Sequence, residues 1–321
     1  MASKRPRKKT TAKKRKINKN QLRRFIMVPL CLTILIVLVF LAGVLTRHFL
    51  STRPPVKTMG GPVEKDRQRL PIFQFEIYPK KDLPLSKDKK PPKTPPPETS
   101  PRIALIVDDI GYDRAIVKKF LSLNLPITLS MLPKSPFIKS IVDTARKNHV
   151  EIMLHQPMEP FEYPQINPGP GALLTSMTPD ELVRQLVQNL EEMPFVSGVN
   201  NHMGSKMTAN SSQMRQIFSI LKQRDLFFID SRTTEKTICR PSADLLQLPF
   251  GERDVFIDHF QDKNFIQKQL HELVRIATSH GGAIGIAHPY NKTYQVLKTV
   301  LPELKQKVNF VPVSELVRVS G

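Results

Sequence analysis

Ile103-Ala104-Leu105-Ile106-Val107-Asp108-Asp109 decides the fold. Five apolar residues in a row, rich in β-branched side chains, make a strand buried on both faces, and such strands belong to parallel sheets covered by helices. Two carboxylates then follow at once, and an apolar core rejects ionised carboxylates unless they are paired or coordinated. The strand therefore ends where a polar site begins.

Outward from this stretch, further apolar runs stand at 127–131, 151–154, 198–200, 226–229, 255–257, 283–287 and 310–313. Amphipathic segments predicted as helices lie between them, at 114–123, 137–148, 179–193, 212–224, 265–280 and 292–307. Thr178-Pro179-Asp180-Glu181 has a cap residue, a proline at the first helical position and an acid at the third, the pattern of a capping box. Gly281-Gly282 supplies a helix stop. Seven or eight strands alternating with helices over residues 101–321 predict an α/β domain, either a doubly wound sheet or a closed (β/α) barrel. No Gly-x-Gly-x-x-Gly follows the first strand and no P-loop is present, which favours the barrel.

The ends of these strands carry the functional signal. They deliver Asp108-Asp109, His155, Asn200-Asn201-His202, Asp230-Ser231-Arg232, Asp258-His259 and His288. In parallel barrels the carboxyl ends of the strands form the face on which active sites are built. Any one of these residues is more often a turn former or a helix cap; the coincidence is what argues for a site. Two histidines and a carboxylate on neighbouring strand ends suit Zn²⁺ with a position left open.

The amino-terminal third is organised differently. Residues 1–24 contain twelve Lys and Arg and no acid, and residues 25–46 hold no charge at all. That length and composition predict one transmembrane helix, and the charge bias predicts a cytoplasmic amino terminus and an extracytoplasmic carboxyl-terminal domain. A cleavable signal peptide is the rival, but its apolar stretch is shorter. Residues 47–100, rich in proline and lysine, read as an extended linker, with Phe73, Phe75 and Ile77 as a short strand within it. The formal charge of +21 is mostly this tail: without its twelve basic residues, 37 Lys and Arg remain against 28 Asp and Glu. Nucleic acid is therefore not expected as a partner, whereas the lipid bilayer is. The domain's one cysteine, Cys239, excludes a disulfide within it.

Five ordered motifs resemble those of the divergent polysaccharide deacetylase family, a remote branch of the NodB-like carbohydrate esterases. They are Ile106-Val107-Asp108-Asp109-Ile110-Gly111, His155-Gln156-Pro157-Met158-Glu159-Pro160, Asn200-Asn201-His202-Met203-Gly204-Ser205, Phe228-Ile229-Asp230-Ser231-Arg232-Thr233 and Gly285-Ile286-Ala287-His288-Pro289. The resemblance implies a distorted (β/α) barrel and metal-dependent hydrolysis of N-acetyl groups on a cell-envelope glycan or amino-sugar polymer. It implies Asp108 as base and Asp109 as a ligand of a divalent transition metal, Zn²⁺ before others. The usual second motif has two histidines four apart, where this chain has His155 and then Glu159. His202 is the candidate for the missing ligand, so the expected metal set is Asp109, His155 and His202.

Within that scheme His288 is expected to protonate the leaving amine and Arg232 to orient Asp108 and keep it ionised. Asp230 or Asp258 is expected to fix a histidine tautomer, with Asn201 and Glu159 supporting the ligands or the substrate. The chain has no tryptophan and five tyrosines, few for a sugar-stacking surface, with Tyr112, Tyr163 and Tyr290 near the expected rim. Residues 160–175, rich in proline and glycine, form a long loop over the site in this reading. A binding or assembly module of the envelope, or a metal-dependent hydrolase of another ester, amide or phosphate bond, remains open on the same fold.

Overall fold

A computed structural model describes residues 100–319 of the chain. The expected cytoplasmic tail, transmembrane helix and nearly all of the linker, with its short strand, lie outside the described residues. Among the described residues no helix is long and apolar enough to cross a membrane.

Strands and helices alternate as the apolar runs predict. In chain order they are β1 (Arg102–Ile110), α1 (Arg114–Leu121), β2 (Thr128–Met131), α2 (Ile138–Lys147), β3 (Glu151–Met158), α3 (Pro179–Glu191), β4 (Gly198–Met203) and α4 (Ser211–Gln223). Then come β5 (Phe227–Asp230), α5 (Cys239–Leu246), β6 (Phe250–Glu252), β7 (Val255–Phe256), α6 (Lys263–His280), β8 (Gly282–Ala287), α7 (Asn291–Leu304) and β9 (Asn309–Phe310). The expected start of α3 is present, with the Thr178 side chain and Glu181 capping each other reciprocally. Gly281 ends α6 at φ 82°, a left-handed conformation that a side chain would strain.

All strand pairs in the sheet are parallel, in the order β6-β5-β4-β3-β2-β1-β8-β7, with β9 alongside the start of β1. The two ends of this order are consecutive in sequence, separated only by Arg253 and Asp254. Parallel neighbours need a crossover of a dozen residues or more, so β6 and β7 cannot pair with each other. Instead one run of chain changes partner. Phe250–Glu252 bonds to β5, Arg253 N–H donates to Asp230 O at 3.0 Å, Asp254 N–H to Ile284 O at 2.9 Å, and Ile257 N–H to Ile286 O at 2.8 Å. The sheet is thus a curled, distorted barrel whose two edges meet on a shared seam, rather than a ring closed by continuous ladders.

Two apolar layers follow from the strand period of two. Outward-facing Ile103, Leu105, Val107, Leu129, Leu154, Val199 and Phe228 pack beneath the helices, while inward-facing Ala104, Ile106, Met153, Phe227, Ile229, Ile284 and Ile286 fill the barrel with Val313. The expected strand at 310–313 is shorter than predicted: only Asn309–Phe310 pairs, and Val313–Glu315 turns into a 3-10 helix that puts Val313 into the interior.

Candidate active site

Both aspartates reach the barrel mouth because β1 breaks its own alternation. Its pairing with β2 shifts register between Val107 and Ile110, and Asp109 adopts φ 55°. A bulge of this kind re-aims a side chain that would otherwise face the helices. Asp108 continues the inward row of Ala104 and Ile106, and Asp109 is turned into the same space. His155 follows Met153 on the inward row of β3, with Asn200 of β4 as its register partner and His202 two residues beyond.

Three donor atoms meet there. His155 Nε2 lies 3.2 Å and His202 Nδ1 3.1 Å from Asp109 Oδ1, and the two nitrogens are 3.2 Å apart. This is the one cluster of metal-ligand type found among the described residues. Ligands roughly 2.0–2.2 Å from Zn²⁺ in a tetrahedron stand about 3.4 Å apart, so the triangle is close to one face of such a sphere. Asp109 Oδ1 is buried within 3.2 Å of both imidazole nitrogens, and a buried carboxylate oxygen so placed calls for a cation, whether a metal ion or a protonated imidazole. Burial alone would raise the Asp109 carboxyl, yet the charge of His202 and the imidazoles of His155 and His288 hold it well below the usual carboxylate range. The residues present therefore fit a divalent transition metal.

Around the triangle each sequence candidate has a definite place. Asp108 is buried, with Oδ1 accepting from Asn200 Nδ2 at 2.8 Å and Oδ2 3.7 Å from His155 Nε2. His288, just beyond β8, directs Nε2 towards Asp109 Oδ2 at 3.9 Å and Nδ1 to Asp258 Oδ1 at 2.9 Å. Asp258 Oδ2 also accepts from the His288 N–H at 2.7 Å and from the Thr293 hydroxyl at 2.8 Å. Burial would lower the His288 pKa, but the charge and hydrogen bond of Asp258, helped by Asp109 and Asp108, push it up to about 9.

Other candidates stand away from this centre. Arg232 does not reach Asp108: its guanidinium Nη1 is 3.5 Å from Glu252 Oε2. The cause is local, since Arg232 turns to φ 52° directly after β5 and its side chain faces the seam strand that carries Glu252. Asp230 fixes no histidine; it accepts from the Thr237 hydroxyl at 2.7 Å and the Arg232 N–H at 2.8 Å. Asn201 accepts from the Ser231 N–H at 2.9 Å and donates to Met203 O at 2.7 Å, tying two strand ends together.

Glu159 pairs with Lys206 at 2.7 Å and accepts from the Thr175 N–H, which pins residues 160–175 at their base. Leu173 in that loop bridges back to Met158. The residue that sequence reasoning passed over is Asn200, which touches both Asp108 and His155. Its only sequence signal was its place one period before His202 on an inward row.

At the carboxyl-terminal mouth of this parallel barrel one carboxylate and two imidazoles converge, flanked by a second aspartate and an Asp-His pair, a donor set that could hold a metal ion. Residues 105–317 match the divergent polysaccharide deacetylases as a family. The chain belongs to that family. Among its relatives, the uncharacterized protein YibQ of Escherichia coli (strain K12) is 29% identical over 220 residues, covering 68% of each chain. An uncharacterized protein of Haemophilus influenzae is 27% identical over 217 residues, 68% of this chain and 77% of that one. The crystal structure of the uncharacterized protein ATU2773 from Agrobacterium tumefaciens C58 superposes with a TM-score of 0.66 at 27% identity, covering 68% of this chain and 89% of that one.

Proposed function

We propose that this chain is a membrane-anchored, metal-dependent deacetylase that removes N-acetyl groups from a cell-envelope glycan outside the cytoplasm. The observation that carries the reading is the Asp109/His155/His202 triangle with an acceptor, Asp108, on one side and a donor, His288, on the other. A divalent transition metal held by those three residues, Zn²⁺ suiting them best, would polarise the acetyl carbonyl and acidify a water.

The rest of the reaction falls to the protein's own groups. Asp108, with Oδ1 held by Asn200 and Oδ2 turned towards the triangle, takes the proton from the attacking water. Against the penalty of burial, the charge and hydrogen bond of Asp258 favour the protonated form of His288. Its Nε2 delivers that proton to the amine nitrogen as the carbon–nitrogen bond breaks, giving acetate and a free amino sugar. Asp258 anchors Nδ1 and so aims Nε2 into the mouth. The anchor and the extracytoplasmic location rest on the uncharged stretch at 25–46 and the basic tail before it.

A second reading, a glycan-binding or assembly module on the same fold, is favoured by Glu159. Where the resemblance expects a second histidine, this residue is committed to Lys206 and the Thr175 backbone. Acetate release decides between them. Purified protein loaded with Zn²⁺ or Co²⁺ is incubated with acetylated amino-sugar oligomers. Release that disappears in Asp108→Asn and His288→Gln while metal content persists supports the deacetylase. A fully metallated protein that releases no acetate from any acetylated glycan supports the module.

A further inference from the structure

Asn200 has four polar neighbours, and their chemistry leaves its amide one orientation. Nδ2 lies 2.8 Å from Asp108 Oδ1 and 3.3 Å from the Ser231 hydroxyl. Oδ1 lies 2.9 Å from His155 Nδ1 and 2.5 Å from the Ser130 hydroxyl. A carboxylate only accepts, so the amide NH₂ must face Asp108 and the amide oxygen must face His155. The amide oxygen in turn only accepts, so His155 Nδ1 must carry the hydrogen. In the neutral ring, the form that can bind a metal, this leaves the Nε2 lone pair on the side of Asp109 Oδ1 and His202 Nδ1, 3.2 Å from each. Asn200 itself is fully buried; Ser130 lies on β2, two strands away from β4, and Ser231 directly follows the adjacent β5.

We propose that Asn200 is the positioning residue of the site: one amide sets the tautomer of the ligand His155 with its oxygen and holds Asp108 in place with its NH₂. The proposal rests on the metal-dependent reading above and adds to it a coupling between ligand and base. Ser130 donates to the amide oxygen and Ser231 accepts from the NH₂, completing the amide's hydrogen bonds, while the Asp108 carboxylate alone dictates its orientation. His288 has its own anchor in Asp258, so its ring is set independently of His155.

The two roles separate by substitution. Asn200→Asp keeps an oxygen for His155 Nδ1–H but puts a second carboxylate against Asp108. Asn200→Leu, of similar volume, removes both contacts. Metal affinity is measured on the full chain by competition against a chelator with Zn²⁺ and Co²⁺, alongside acetate release and the Co²⁺ absorption spectrum.

The expected result for Asn200→Leu is a metal affinity weaker by about 10- to 100-fold, the usual cost of losing a group that orients a ligand, and a changed Co²⁺ spectrum. The expected result for Asn200→Asp is parent-like affinity and spectrum with acetate release lost. Parent-like affinity in Asn200→Leu overturns the tautomer role, and parent-like turnover in Asn200→Asp overturns the hold on Asp108. Should Asn200→Leu fail to fold, Asn200→Asp decides alone, since either loss of metal or retention of turnover in it contradicts the inference. Absence of metal in the parent protein would instead contradict the underlying reading.

Discussion

The two ends of the barrel are built on the same inward rows of the same strands, yet one end is apolar and the other ionisable. Along β1 the row reads Ala104, Ile106, Asp108; along β3, Met153 and then His155; along β8, Ile284, Ile286 and, just past its end, His288. On these three strands the change from Ile106, Met153 and Ile286 comes in a single two-residue step. Below it, Ile106, Met153, Phe227, Ile229, Ile284, Ile286 and Val313 exclude water and fix the strands. Above it the same rigid strands hold Asp108, His155, Asn200, His202 and His288, each nearly inaccessible to solvent, in geometry that loops alone would not maintain. The lower end is thus the support of the upper.

Breaking the upper end should give the largest effect. His155→Ala or His202→Ala removes one corner of the triangle, so bound metal should be lost and acetate release should fall by roughly 10³-fold or more, read by elemental analysis and product assay. Substituting one step lower has a different signature. Met153→Ala should lower the unfolding free energy by about 2–5 kcal/mol, the cost of a large-to-small change in a filled core, with metal stoichiometry kept in the folded fraction. A Met153→Ala protein that is stable but metal-free would mean that the two ends are not separable.

A subtler test uses pH. The His288 pKa rises to about 9 in the folded protein, above its ordinary 6.5, through Asp258 and against the penalty of burial. A raised pKa stabilises the fold fully below about pH 6.5, and that contribution is lost as pH climbs through 9. Urea unfolding of the metal-free protein should therefore weaken between pH 6.5 and 9, by on the order of 3 kcal/mol from this group. His155, whose pKa Asp108 and Asp109 also raise against burial, adds to the same slope. Asp258→Asn should flatten the His288 part. A profile in Asp258→Asn as steep as the parent's contradicts the pairing.

The smallest effect is expected outside both regions. Arg232 is paired with Glu252, half-exposed and away from Asp108, so Arg232→Ala should change stability by less than about 1 kcal/mol and turnover by less than tenfold. A larger loss of turnover would give Arg232 a part in the reaction that its position does not suggest.

Much of this was legible in the sequence because it depends on local pattern. Runs of apolar residues marked seven of the strands, the capping box and Gly281 marked helix ends, strand ends marked a polar face, and the family motifs singled out Asp109, His155 and His202 on it. What stayed hidden depends on partners distant in sequence. Phe250–Glu252 has no apolar run to reveal it and exists as a strand through β5. The helix Cys239–Leu246 is only eight residues long and carries no side-chain cap to announce its start. Arg232, two residues after Asp230, looks electrostatic in sequence, but the acid its guanidinium meets, Glu252, is supplied by the seam strand. Asn200, uncharged and two residues before His202, shows no role until its four neighbours are seen.

The central claim, that the mouth of this barrel is a metal site, is tested most directly by the metal content of the purified protein beside its His155→Ala/His202→Ala double variant. The account predicts close to one divalent transition metal per chain in the parent and none in the variant. No metal in the parent after supplementation, or equal metal in both proteins, would contradict it.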